Sequence, residues 1–216
     1  MKHQSEEDYL KAILHLSTNK TEVSTNEIAD YLDVKASSVT DMLKKLKEKK
    51  LVLYIKYKGA KLSKEGHKNA IYIVRKHRLW EYFLVEQLSF KWDEVHEIAE
   101  QLEHIKSPEL VNRLDDFLGN PKYDPHGDPI PDKDGTIQDN RKMTKLSECN
   151  ISTKGLIAGV DDTSADFLQF LEKNGLMLGT EITVTDIIKF DQSMNIRYGK
   201  KTIMLSERMT KSLLIS

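Results

Sequence analysis

The strongest constraint on this chain is a run of helix and turn signals over residues 24–62. Ser24-x-x-Glu27 is a capping box, in which a hydroxyl and a carboxylate three residues apart satisfy each other's backbone N–H groups. It opens a short helix through Ile28, Ala29, Tyr31 and Leu32. After Asp33-Val34-Lys35 a second helix begins near Ala36 and turns Val39, Leu43 and Leu46 inward at helical spacing. Leu51 to Leu62 then read as two short strands about a Lys-Gly turn. A further helix precedes this run over 5–18, carrying Tyr9, Leu10, Ile13, Leu14 and Leu16, with Asn19 as its stop. Together these elements predict a winged helix-turn-helix in residues 1–63. In that arrangement the first turns of the second helix of the pair face base edges. Ser37, Ser38, Thr40 and Asp41 are therefore the base-edge candidates, and Lys44, Lys56, Lys58 and Lys61 the phosphate candidates. Strand alternation predicts Tyr54, Lys56 and Lys58 on one side of the hairpin.

The net charge of −1 conceals an asymmetry. Residues 41–68 hold ten lysines against three acidic residues, and residues 81–119 hold ten acidic residues against three basic ones. A basic module followed by an acidic one suits a polyanion at one surface and cations at another. No apolar run approaches the roughly 18 residues of a membrane span. The polar, acidic start Met-Lys-His-Gln-Ser-Glu-Glu-Asp carries no export signal. A single cysteine, Cys149, excludes an intrachain disulfide framework, fits a reducing cytoplasm and reads as a small buried residue. The expectation is a cytoplasmic protein without a membrane partner.

The acidic half carries the chemistry. A long helix is predicted from Ser63 to about Gln87, and a second with Val95, Ile98, Ala99, Leu102 and Ile105 as its apolar face. On the first, His77 and Glu81 are i,i+4 neighbours; on the second, His96, Glu100 and His104 repeat that spacing with Glu103 beside them. Imidazole and carboxylate together suit Mn²⁺, Fe²⁺, Zn²⁺ or Co²⁺. Ser107-Pro108 starts a third helix that runs to Gly119. Its apolar residues, added to those of its neighbours, exceed what one small helical layer buries, which predicts a homodimer. Residues 119–135 hold four of the five prolines and contain Asp124-Pro-His126, two more candidate ligands. A metallohydrolase is the rival class, but His96-Glu97-x-x-Glu100 lacks the second histidine of the zinc-protease motif. No serine or cysteine has an evident histidine partner. A second rival is a winged-helix protein whose metals are purely structural; metal-dependent DNA affinity separates it from a sensor.

From Met143 the pattern changes to short β-type runs at 153–160, 180–190, 194–198, 201–205 and 211–215, interrupted by one helix near Ala165 to Lys173. Five short strands with one helix predict a small SH3-like barrel. The fold class is mainly α with β: a winged helix-turn-helix over 1–63, a helical dimerisation and metal domain with a Pro-rich loop over 64–140, and an SH3-like, FeoA-like domain over 141–216.

Across essentially all 216 residues the chain resembles the diphtheria-toxin-repressor and manganese-transport-regulator family. The resemblance rests on Glu-Asp8-Tyr-Leu, Ser37-Ser38-Val-Thr40, Arg-Lys-His77-Arg-Leu-Trp-Glu81 and Glu100-x-x-Glu103-His104, and in the tail on Phe167-Leu-Gln-Phe-Leu and Leu178-Gly-Thr-Glu-Ile-Thr-Val. It implies a metal-activated repressor of metal-uptake genes, a homodimer on double-stranded operator DNA. It implies a primary metal site of Asp8, Glu100, Glu103 and His104. The implied secondary site has His77, Glu81 and His96, with Asp124 and His126 from the loop and Asp161, Asp162 or Asp166 from the barrel. Two departures from the family pattern bear on the metal. The iron-responsive branch carries Met and Cys where this chain has Asp8 and Glu100, and hard carboxylates favour Mn²⁺ over Fe²⁺. The short manganese branch carries Glu where this chain has Lys11, a cation that cannot be a ligand. The expected cofactor is Mn²⁺, with Fe²⁺ as the alternative and Zn²⁺ or Co²⁺ as substitutes in vitro.

Overall fold

A computed structural model describes residues 5–17, 22–55 and 58–216. Its internal contacts divide the chain into two compact units: Met1–His77 with Leu102–Asn112 and Pro131–Ile137, and Arg78–Gln101 with Arg113–Ile130 and Gln138–Ser216.

The first unit begins with α1 (Glu6–Leu16), capped by Ser5, then α2 (Thr25–Leu32) and α3 (Ala36–Glu48). The capping box at Ser24 closes as expected, with Glu27 N–H on Ser24 Oγ and Ser24 N–H on Glu27 Oε2. Strands β1 (Val52–Ile55) and β2 (Gly59–Leu62) pair antiparallel, Val52 opposite Leu62. Helix α4 (Lys64–Leu88) leaves this hairpin. Leu10, Ile13, Ile28, Val39, Leu43 and Leu46 pack with Val52, Ala60, Ala70 and Ile73 in one core. Each large aliphatic side chain buried there contributes about 1.5–3 kcal/mol.

Two expectations need correction in this half of the chain. Tyr54 does not face outward with the hairpin lysines: it is buried with Val52, two residues earlier on the same face of the strand, while Leu53 and Ile55 are exposed. Lys58 stands exposed in the turn, and Lys56 and Asn19 lie outside the described residues. The predicted helix through Ile105 is also shorter. Helix α5 (His96–Leu102) stops at Leu102, where Ile105 N–H closes a tight turn on the Leu102 carbonyl. Pro108, first residue of α6 (Pro108–Phe117), disfavours helical backbone just before it.

In the second unit, strands β3 (Thr144–Lys145), β4 (Lys154–Val160), β5 (Glu181–Ile187), β6 (Met194–Tyr198), β7 (Lys201–Leu205) and β8 (Leu213–Ile215) form one antiparallel sheet. Its order is β3-β8-β4-β5-β6-β7. Bulges in β4 at Ile157/Gly159 and in β5 at Val184/Asp186 curl it. Helix α7 (Ala165–Asn174) ends on Gly175 at φ +73°, and Phe167, Leu168 and Leu171 face Ile157, Ile182, Ile196, Leu205 and Leu213 in the core. Three short elements lay outside the expected pattern: β3, the 3-10 turn Leu146–Glu148 that follows it, and a helix before the last strand. Ser206 caps a short helix, α8 (Glu207–Ser212), so the last strand begins at Leu213 and not at 211.

Candidate metal centre and nucleic-acid interface

Within the first unit, Asp8, Glu103 and His104 bring one ligand atom each to within 4.8 Å of one another. The start of α1 orients Asp8. Its Oδ2 accepts the Ser5 N–H at 2.7 Å, completing a second capping box, which leaves Oδ1 pointing at His104 Nε2, 3.2 Å away. That Oδ1 is buried and accepts no hydrogen bond from the described residues. His104 Nδ1 meets Glu7 Oε2 at 2.8 Å. A proton held on that bond leaves the Nε2 lone pair facing an uncompensated carboxylate oxygen, an arrangement that a cation between the two relieves. The donor set therefore fits a divalent ion. Glu103, fully buried, is held on both oxygens by Lys11 Nζ at 2.8 and 3.0 Å and by His77 Nδ1 at 2.6 Å. Buried charge demands such partners.

A second cluster lies wholly within the second unit: Glu81, Asp124 and His126, all buried. The Pro-rich loop is shaped by Asp124 Oδ1, which accepts the His126 and Asp128 N–H groups at 2.9 Å each. His126 Nε2 lies 2.9 Å from the Trp92 carbonyl and its ring stacks on Trp92, turning Nδ1 towards Glu81 Oε2 at 3.5 Å. A histidine that gives one N–H to a backbone carbonyl presents its other nitrogen as a ligand. Burial pushes the Asp124 carboxyl up to about 7, aided by the charges of Glu81 and Asp128 and opposed by Arg78. For His126, burial works against the charged ring, yet the Glu81 hydrogen bond and the charges of Glu81 and Asp124 raise it to about 9. Strand β4 holds the loop: Val160 N–H donates to the His126 carbonyl, and Arg141 donates to the Ala158 and Gly127 carbonyls. Gly127 sits at φ +91°, and a Cβ there would lie 2.3 Å from the Ala158 carbonyl oxygen. Only glycine allows that approach.

The remaining expected ligands fall as follows. His77 is in the first unit on Glu103, whereas Glu100 is in the second unit with its carboxylate 3.7 Å from His96 Nε2. His96 Nδ1 is 3.3 Å from Glu81 Oε1. Asp161 follows Val160, but its carboxylate pairs with Lys145 at 3.0 Å. Asp162 accepts the Ser164 N–H just before α7 and faces Arg208, hydrogen bonds that hold its carboxyl below the usual range. Sequence reasoning missed Glu7 and the Ser5–Asp8 box; the Ser-x-x-Asp spacing carried the second signal, and nothing local carried the first.

On α3, Ser37, Ser38, Asp41 and Lys44 are exposed. Thr40 turns its hydroxyl back to the Ala36 carbonyl at 3.0 Å, and Asp41 pairs with Lys44 at 3.0 Å. Lys35 at the N-cap makes no side-chain cap hydrogen bond, so the first N–H groups of α3 have no side-chain cap among the described residues. Lys58 and Lys61 are exposed on the hairpin.

Comparison with known proteins follows the same division of labour. Three family models match: the iron-dependent repressor N-terminal DNA-binding domain over residues 1–60, the iron-dependent repressor metal-binding and dimerisation domain over 63–132, and the FeoA domain over 144–216. The iron-dependent repressor IdeR of Mycobacterium leprae (strain TN) is 32% identical, over 82% of this chain and 82% of its own length. The chain belongs to the iron-dependent repressor family. A solved family structure described as a manganese-dependent transcriptional repressor in complex with manganese is 32% identical and covers 98% of this chain and 99% of that one, with a TM-score of 0.87. Another, described as ScaR with bound Cd²⁺, is 34% identical with a TM-score of 0.81, over 99% of both chains. The chain spans about half the length, or less, of the first curated relatives it matches. Along this chain the matches to a DNA-binding domain, a metal and dimerisation domain and a FeoA domain follow one another.

Proposed function

We propose that this protein is a manganese-responsive, DNA-binding transcriptional repressor that acts as a homodimer on operator DNA and controls metal-uptake genes. The carrying observation is the first cluster. Asp8, Glu103 and His104 offer oxygen and nitrogen donors with no sulfur among them, and the buried Asp8 Oδ1 accepts no hydrogen bond from the described residues. Hard donors suit Mn²⁺, and the same set also accepts Fe²⁺, which is the second reading. When bound, the ion supplies the positive charge that lets Asp8 face His104. Asp8 stands on the first helix of the winged domain, and Glu103 and His104 stand in the turn after α5. Closing one on the other fixes α1, and with it the pose of α3. Such an ion favours the DNA-competent state only through its higher affinity for that state. Ser37, Ser38 and Asp41 then meet base edges, while Lys44, Lys58, Lys61 and the open start of α3 meet phosphates. Glu81, Asp124 and His126, with His96, form a second ion site that β4 supports.

The test is a binding isotherm of the dimer on promoter DNA at fixed salt with chelator, with Mn²⁺ and with anaerobic Fe²⁺. Strong binding with Mn²⁺ and none with chelator is expected. Asp8→Ala should abolish the metal dependence and leave the dimer intact. Metal-independent binding overturns the sensing role.

A further inference from the structure

We propose that Lys11 is an internal competitor for the metal: a tethered cation that occupies Glu103 and sets the concentration at which the first cluster fills. This rests on the metal reading above and concerns the affinity of that same site. Lys11 follows Asp8 by three residues, so α1 presents a ligand and a cation on one face. Its ammonium reaches both Glu103 oxygens, at 2.8 and 3.0 Å, and His77 Nδ1 sits 2.6 Å from one of them. Glu103 has no solvent exposure and the Lys11 side chain is 16% exposed. An ion held by Asp8 and His104 therefore has two ways to take Glu103. It draws an oxygen away from Lys11, or it shares the carboxylate with a positive charge on its other side. The first route breaks a charge-assisted hydrogen bond, and the second sets two cations against each other in a buried place. Both weaken binding, so the direction of the effect does not depend on which route is followed. The same contact serves the ion-free protein. Without Lys11, Glu103 would lose one of its two cationic or imidazole partners beside the Asp8 carboxylate, a costly arrangement for a buried anion.

The experiment titrates Mn²⁺ into the full-length protein at fixed pH and salt, following free Mn²⁺ by its electron paramagnetic resonance. Wild type, Lys11→Met, Lys11→Gln and Lys11→Arg are compared, with Asp8→Asn identifying the ion that belongs to the first cluster. Thermal melting in chelator is the second readout. Lys11→Met and Lys11→Gln should bind that ion at least tenfold more tightly and melt at a lower temperature when ion-free, whereas Lys11→Arg should stay within about threefold of wild type. If either folded neutral variant binds the Asp8-dependent ion with wild-type or weaker affinity, Lys11 is not a competitor, and the metal reading stands. If wild type holds no Asp8-dependent ion at all, the metal reading of the cluster falls, and the competition with it.

Discussion

At the first cluster His104 keeps 34% of its side chain in solvent, and Glu103 is paired with the Lys11 ammonium and contacted by the His77 ring. At the second, Glu81, Asp124 and His126 are all buried, and their charge is balanced by Arg78 and by protons that burial holds on Asp124 and that Glu81 helps hold on His126. The contrast shows two ways to keep several carboxylates together without an ion. A tethered ammonium leaves a histidine reachable from solvent, as a site that answers to outside metal requires. Protons and a guanidinium make a closed site, whose geometry is set by the loop and the strand that hold it.

That contrast can be broken by mutation. The largest effect is expected from His104→Ala, which removes a proposed ligand from the first cluster. It should lower Mn²⁺-dependent DNA affinity by more than about a hundredfold, beyond the 10- to 100-fold usual for losing a residue that only orients a ligand. His126→Ala should leave DNA binding metal-dependent. Equal losses in a fluorescence-anisotropy assay would abolish the distinction between the clusters. Next comes Gly127→Ala, which forces a Cβ against the Ala158 carbonyl at a positive φ. It should cost about 1–3 kcal/mol in denaturant unfolding and remove one bound ion per protomer, while the Asp8-dependent ion is retained. Glu7→Gln should weaken the first ion about tenfold by loosening the hold on His104; an unchanged affinity would mean that Glu7 is only an ion-pair partner of Lys76. The smallest effect is chemical. Burial raises the Cys149 thiol above its ordinary value, so iodoacetamide near neutral pH should label it slowly until denaturant is added. Rapid labelling of the native protein would place the thiol in the open.

Much of this was legible because it is local. The capping box at Ser24, the inward Val39, Leu43 and Leu46, the Gly119 stop and the alternating runs after Met143 each follow from a few neighbouring residues. The failures are equally specific. Strand alternation grouped Tyr54 with Lys56 and Lys58 as a phosphate-gripping face, yet Tyr54 is buried in the core with Val52, two residues earlier on the same face. Helical spacing carried the predicted helix through Ile105, whereas α5 ends at Leu102, and Glu100 falls in a different unit from Glu103 and His104. Lys11 on Glu103, 92 residues apart, and Arg141 on the Gly127 and Ala158 carbonyls are made only when the chain is folded. No window of sequence contains them.

The two oxygens of Asp8 have separate employers, one the helix start and the other the ligand cluster. For the gene this means that the codon for residue 8 is constrained twice. Asparagine keeps an acceptor for the Ser5 N–H and alters only the ligand. Methionine, the sulfur donor of the iron-responsive branch, changes the ligand and also removes its half of the helix cap, at a cost on the order of 1 kcal/mol. A switch of metal preference at this position therefore carries a folding penalty that a second change, elsewhere in the first turn of α1, would have to offset.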